Sequence, residues 1–237
     1  MAKSCRIYVP SYKRYDRIKT YKVLNDCTYV VRKSEEDLYR AAGVDKLLVA
    51  EDELIDTFPK TRQWIIDNTP EDIVVQIDDD IEKFCYCNKS SYVEITDKDT
   101  IDAEIERVAQ LLSDLNLGFA SLRMQLNVIK YSSEFMFKGT IGQVCWYNKS
   151  ALKGKYDVKS KFKADMDFEL QELLQNRIIL IPNYLQVDGK YDKNSGGNNV
   201  KKTSSEMYAN VEYLKNKWGR YFEFNEKSNI SKVVVKR

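Results

Sequence analysis

The chain has 237 residues, 43% of them hydrophobic and 31% charged, with a formal net charge of +2. That suits one large α/β domain or two small ones with a real core, and the near balance of charge permits a polyanionic partner without demanding one. There is no histidine, which excludes Ser-His-Asp and Cys-His nucleophile systems, His-ligated zinc and imidazole bases.

The first half alternates between strand and helix patterns. "CRIYVP" reads as a strand ending at Pro10, "RYDRIKTYKVL" as a helix and "CTYVV" as a second strand. "SEEDLYRAAG" reads as a short helix with Ser34 as N-cap and Gly43 as its stop. "KLLVAE" is a third strand, "KTRQWIIDNT" a helix stopping before Pro70, and "DIVVQI" a fourth strand. Units of this length predict an α/β fold with a mostly parallel central sheet covered on both faces.

In the second half, Ile101, Ile105, Val108, Leu112 and Leu115 recur at helical spacing, with Asp99 or Thr100 available as cap. "GFASLRM" and "IGQVCWYN" read as strands, "MDFELQELLQNR" as a helix with Met166, Leu170, Leu173 and Leu174 on one face, and "IILIPN" as a strand ending at Pro182. "NSGGNN" is the most loop-like stretch. A helix over 204–218 leads to a basic β-like tail, "ISKVVVKR". No repeat or linker interrupts the chain, so residues 1–237 are expected to form one domain.

Charge is unevenly placed. Residues 3–22 carry Lys3, Arg6, Lys13, Arg14, Arg17, Lys19 and Lys22 against Asp16, and 149–163 carry Lys149, Lys153, Lys155, Lys159, Lys161 and Lys163 against Asp157. The middle of the chain is acidic. The five cysteines are an odd set without an export-type apolar run, which predicts reduced thiols in a cytoplasm. Cys85-Tyr86-Cys87 reads as alternating strand or loop residues rather than a zinc pair. No segment has the length of a membrane span.

"VVQIDDDIEK" is the most informative stretch. A strand buried on both faces ends in Asp78, Asp79 and Asp80. If the chain stays extended, Asp78 and Asp80 point the same way, about 6–7 Å apart at Cα, and Asp79 faces away. Adjacent carboxylates repel and raise one another's pKa, and a cation between Asp78 and Asp80 removes that cost. Oxygen-only ligands suit Mg²⁺ or Mn²⁺, and ligands of open α/β sheets sit beyond the carboxyl ends of the strands. An acidic turn that merely ends a strand is the plainer reading.

Four other pieces carry paired readings. The turn after the first strand, with Lys13, Arg14 and Arg17, suits a nucleotide and its phosphates near a helix start, or is a basic surface helix. Arg62 suits a diphosphate clamp, or is an exposed helix arginine. Asp165, Asp167 and Glu169 open a helix, where acids complement the macrodipole and Asp165 can cap; with no histidine, a carboxylate is also the natural general base. "NSGGNN" suits a closing loop or a plain linker.

Taken in order, "IYVPSYKR", "VVQIDDDI" and "ADMDFEL" resemble a GT-A-type glycosyltransferase. More narrowly, "VPSYKR", "TRQWI", "IDDDI", "DMDFEL" and "SGG" resemble the TET/JBP-associated glycosyltransferases of phage genomes, over roughly residues 6–200. The resemblance implies a Rossmann-type GT-A domain whose first 100 residues or so hold a nucleotide-sugar, a UDP-sugar, and whose remainder faces the acceptor. It implies a donor site of Pro10, Ser11, Tyr12, Arg14, Arg62, Asp78 and Asp79, and a Mn²⁺ or Mg²⁺ site of Asp78 and Asp80. Asp165 or Asp167 then stands as the base of an inverting enzyme, with Lys161, Lys163, Gly196, Gly197 and Asn198 on the acceptor side. Hydroxymethylated pyrimidines in DNA are the implied acceptors, and a host cytoplasm the implied location. The late histidine that many GT-A enzymes give to the metal is missing, and Asn198 or water stands in its place. Other acceptors (a glycan, protein or small molecule), metal-dependent nucleotidyl transfer and DNA binding without catalysis are the competing readings. No oligomeric state is implied.

Overall fold

The computed structural model describes residues 3–88, 91–123, 133–189, 204–228 and 230–236. Its centre is a six-stranded sheet. Four parallel strands come from the first half: β1 (Cys5–Pro10), β2 (Thr28–Arg32), β3 (Leu47–Ala50) and β4 (Ile73–Ile77). They lie in the order β3-β2-β1-β4, and β9 (Ile141–Asn148) and β7 (Phe119–Arg123) complete that side, β9 antiparallel to both neighbours. The predicted strands are therefore present, in a mixed and mostly parallel sheet.

Both faces of the sheet are buried, as continuous apolar strands require. Ile73, Val75 and Ile77 of β4 pack into one core with α4 (Lys98–Asp114), through Ile101, Ile105, Val108 and Leu112. Val74 packs into the other, with Ile65 and Ile66 of α3 (Phe58–Asn68) and Phe168 and Leu173 of α5 (Ala164–Gln175). A third cluster joins Leu170 of α5 to Val211 and Leu214 of α6 (Ser204–Trp218) and to Phe222.

Order 3-2-1-4 means that the chain builds outward from β1 in one direction and then returns to its other side. β1 and β4 flank this switch point. They run in parallel, with Tyr8 opposite Gln76, so the loops leaving both strands emerge at one edge. That is where ligands bind in open α/β sheets. β9 runs the other way, and its early residues reach the same edge: Val144 pairs with Ile77.

Several local expectations are corrected. The helix expected over 14–24 shrinks to α1 (Thr20–Val23). Lys13 takes a left-handed φ of 56°, and Thr20 Oγ1 donates to the Asp78 carbonyl at 2.6 Å while accepting from Ile81 N at 3.1 Å. The loop thus spends its polar groups on the aspartate turn instead of on a helical ladder. Ser34 does not cap α2 (Glu36–Ala41); its hydroxyl donates to Asp52 at 2.5 Å, and a 3₁₀ turn over Lys33–Glu35 precedes the helix. Gly43 does close α2, at a φ of 85° that favours glycine. The cap of α4 is Asp97, which accepts from Thr100 N at 3.0 Å, and Leu115 is 56% exposed just past the helix end. Lys163, not Asp165, occupies the N-cap position of α5.

The strand pattern missed several strands of the smaller sheets. β5 (Ile81–Asn88) pairs with β6 (Ser91–Ile95) and β11 (Leu185–Gly189), and Cys85 and Cys87 are buried free thiols on β5. β8 (Phe135–Met136) pairs with β10 (Ile181–Pro182), the shortened remnant of "IILIPN". β12 (Phe222–Asn225) forms a hairpin with β13 (Ile230–Val233), the predicted β-like tail. No helix among the described residues is long and apolar enough to cross a membrane.

Candidate active site

The three aspartates do not continue β4. The strand ends at Ile77, Asp79 and Asp80 form a turn, and β5 starts at Ile81. The extended-strand alternation therefore does not set where the carboxylates point; Asp79 and Asp80 share Arg14, and Asp78 pairs with Arg62.

Asp79 turns inward, 6% exposed, and not to solvent. It accepts hydrogen bonds from the Ser11 hydroxyl and from Arg14 Nη1. The Tyr39 hydroxyl lies 2.6 Å from Ser11 Oγ, and Arg14 N donates to it at 3.3 Å. This network fixes the loop after β1 to the turn after β4. Arg14 also reaches Asp80 Oδ2 at 3.3 Å, and Gln143 Nε2 of β9 donates to Asp80 Oδ1 at 3.1 Å. Gly189 closes the same corner: a Cβ there would stand 2.8 Å from Gln143 Nε2.

Asp78 faces α3. Arg62 is 2% exposed, not the exposed helix arginine of the plainer reading. It donates to Asp78 through Nη2 and to Gln76 Oε1 through Nη1 at 3.2 Å, while Gln76 Nε2 donates to the Arg62 carbonyl at 2.9 Å. The Asp78 side chain keeps 33% of its surface accessible.

The electrostatics follow from this crowding. Burial pushes Asp78 up to about 7; Arg62 pulls it down, and Asp80, Asp79 and Asp165 push it up further. Asp79 is also raised by burial, against Arg14 and Ser11. Burial disfavours the charge on Arg62 and Arg14, but the facing carboxylates more than offset it and hold both guanidinium groups ionised.

Of the two late acids, the fold brings only Asp165 to this edge. Its charge is felt at Asp78, and it is itself raised by burial and lowered by Arg62 and Lys163. Asp167 is fully buried on another side of α5. It accepts from Trp218 Nε1 at 2.7 Å, from Gln171 Nε2 at 2.8 Å and from Lys217. Expected as the alternative base to Asp165, it has both oxygens committed to α6 and to α5 itself.

Tyr12 is half-buried, with the Arg32 guanidinium 3.7 Å from its ring centroid, and Pro10 ends β1 beside it. Lys161 is exposed and Lys163 half-buried at the start of α5, in a stretch where Lys153, Lys155 and Lys159 are also exposed. Lys149 leaves that patch, since it donates to the Thr69 carbonyl and burial lowers its pKa. Gly196, Gly197 and Asn198 lie outside the described residues.

Gln143, Thr20 and Tyr39 were missed from the sequence. Gln143 had a signal, a polar residue inside the apolar run of "IGQVCWYN".

A mostly parallel α/β sheet with an acidic turn at its switch-point edge is a fold of the GT-A type. The sequence matches the model of the TET-associated glycosyltransferase family over residues 5–198. The chain belongs to that family. No curated protein matches the sequence. Among solved structures, residues 1–349 of S. aureus TarS are similar, at 13% identity and a TM-score of 0.52, covering 90% of this chain and 64% of that one. The chain thus spans less than two thirds of that relative. Glucosyl-3-phosphoglycerate synthase from Mycobacterium tuberculosis, in complex with Mn²⁺, UDP-glucose and phosphoglyceric acid, is similar at 8% identity and 0.54, covering 98% and 86%. The mannosyltransferase PcManGT from Pyrobaculum calidifontis, in complex with GDP-mannose and Mn²⁺, is similar at 14% and 0.51, covering 76% and 57%.

Proposed function

We propose that the chain transfers a sugar from a UDP-sugar to the hydroxyl of a hydroxymethylated pyrimidine in DNA. The observation that carries this is the meeting of the β1 loop, the aspartate turn and Asp165 at one sheet edge. Residues up to about 100 supply the donor side and the rest the acceptor side. Ser11 and Arg14, held by Asp79, face the nucleotide together with Tyr12. Arg62 fixes the Asp78 carboxylate.

The turn suits a hard divalent cation. Its donors are carboxylate oxygens alone, and the Arg14 guanidinium bridging Asp79 and Asp80, together with the charge of Asp80 acting on Asp78, supports a turn that attracts positive charge. Asp78 and Asp80 would hold Mn²⁺ or Mg²⁺. Among the described residues no third acid, cysteine or histidine joins them, so donor phosphate and water supply the remaining ligands. Bound there, the ion neutralises the diphosphate that leaves.

The transfer balances without any other reagent. The acceptor oxygen forms a bond to the anomeric carbon, the bond from that carbon to the diphosphate breaks, and UDP leaves with the electron pair. In an inverting reaction Asp165 takes the hydroxyl proton. The lysines before α5 suit the phosphate backbone of the acceptor. The test is calorimetric titration of UDP with Mn²⁺ and with EDTA, followed by a screen of UDP-sugars on hydroxymethylated oligonucleotides. Metal-dependent UDP binding and product on the modified strand support the reading. Binding or turnover of a plain NTP in place of UDP-sugars overturns it.

A further inference from the structure

Among the described residues, one interior carboxylate oxygen near the site has no hydrogen-bond partner. Glu169 lies one helical turn after Asp165 on α5, and positions four apart share a helix face. The residue is 2% exposed, and its Oε2 is buried without a hydrogen-bond partner. The other two buried acids of the helix are employed. Glu172 accepts from the amides of Lys153, at 2.7 Å, and Gly154. Asp167 is tied to α6. An orphaned buried polar atom costs about 1–3 kcal/mol, and an apolar residue of similar size would avoid that cost.

The chemistry of the position is narrow. Burial first, and the charge of Asp165 second, drive the Glu169 carboxyl toward its neutral form. A neutral carboxyl has an O–H donor and an acceptor oxygen side by side. With Asp165 one helical turn away, an anionic group is repelled here, whereas a hydroxyl or an amide-like edge is welcome. Phosphates are better served by the lysines before α5.

We propose that Glu169 is a specificity-determining contact for the acceptor, giving its unpaired oxygen to an uncharged hydrogen-bonding group held next to Asp165. The proposal rests on the glycosyl-transfer reading above and adds a substrate contact to it.

The test compares Glu169→Leu, Glu169→Met and Glu169→Gln in the full chain. Three quantities are read: melting temperature, UDP affinity with Mn²⁺, and kcat and KM for an oligonucleotide carrying 5-hydroxymethylcytosine with UDP-glucose and other UDP-sugars as donors. The apolar variants are expected to melt at or above the wild-type temperature and to keep UDP affinity. Their KM for the oligonucleotide should rise by about tenfold, the worth of one ordinary hydrogen bond, and Glu169→Gln should recover most of it. Wild-type KM in the apolar variants overturns the proposal. So does loss of folding in both, because the side chain then serves the fold. A wild-type chain inert on every oligonucleotide and UDP-sugar removes the transfer reading and this contact together, whereas an active wild type with unaffected variants removes only the contact.

Discussion

Arg62 on α3 and Asp78 at the end of β4 form an ion pair in which the arginine is almost wholly buried and the carboxylate keeps a third of its side chain accessible. The pair joins a helix on one face of the sheet to the acidic turn at its edge. Removing one partner strands the other. Arg62→Met should destabilise the fold by about 3 kcal/mol, the low end for a buried pair, because Asp78 can take a proton. Asp78→Asn added to it should recover part of that loss, and urea titration of the two single variants and the double variant measures the coupling.

Asp80 is bound by Gln143 and Arg14, and the fold does not depend on its charge alone. Asp80→Asn should melt near the wild-type temperature and lose metal-dependent UDP binding. EDTA should abolish UDP binding in the wild type and change nothing in the variant. Calorimetry in Mn²⁺ and in EDTA decides this; UDP affinity that ignores both manipulations removes Asp80 from the metal site.

Asp165 and Asp167 should separate cleanly. Asp165→Asn is expected to lower kcat by about 10²–10⁴-fold with little change in melting temperature. Asp167→Asn should cost about 1–3 kcal/mol of stability through its bonds to Trp218 and Lys217, with kcat nearly kept. Steady-state kinetics beside thermal melts read both effects, and the reverse pattern would exchange their roles.

Glu169 makes stability depend on pH. Its folded pKa is raised, so its contribution is fully present below the unfolded glutamate value of about 4.3 and is lost as pH climbs toward the folded value. Between the two, the wild type should lose at most about 1.4 kcal/mol per pH unit relative to Glu169→Gln. Denaturant titrations from pH 4 upward at about unit steps would show the two curves diverging. Parallel curves would mean that the carboxyl ionises as freely as in the unfolded chain.

Lys161 and Lys163 test the acceptor. Charge reversal at both should weaken oligonucleotide binding and flatten its dependence on log salt by about one to two counterions. UDP affinity should hold. An unchanged salt slope would place the DNA backbone elsewhere.

Much of this was legible in the residues. The runs "RIYV", "TYVV" and "IVVQI" are apolar throughout, and only a sheet covered on both faces accommodates that. The aspartates directly follow one such run, so their place at a strand's carboxyl end was fixed by local pattern. The loop after β1 was misread because its helical spacing is real; what overrides it is the bond of Thr20 to the Asp78 carbonyl and the left-handed Lys13. Hairpins such as β5–β6 were missed because their stabilising partners are strands distant in the chain, like β11.

The sequence by itself determined which chemistry the protein can perform: oxygen-ligand and carboxylate chemistry without imidazole, at the end of a buried strand. Tertiary structure decided which carboxylates lie at the sheet edge. Two helix positions two residues apart diverge by about 200° at 3.6 residues per turn, so Asp165 and Asp167 cannot both face the site. Nothing in "ADMDFEL" says which of them does. Packing of α5 against β9 and α6 sets its rotation, giving Asp165 to the sheet edge and Asp167 to Trp218. Likewise, i and i+2 share a side only while the chain stays extended, and the turn at Asp79, pinned by Ser11 and Arg14, ends that condition.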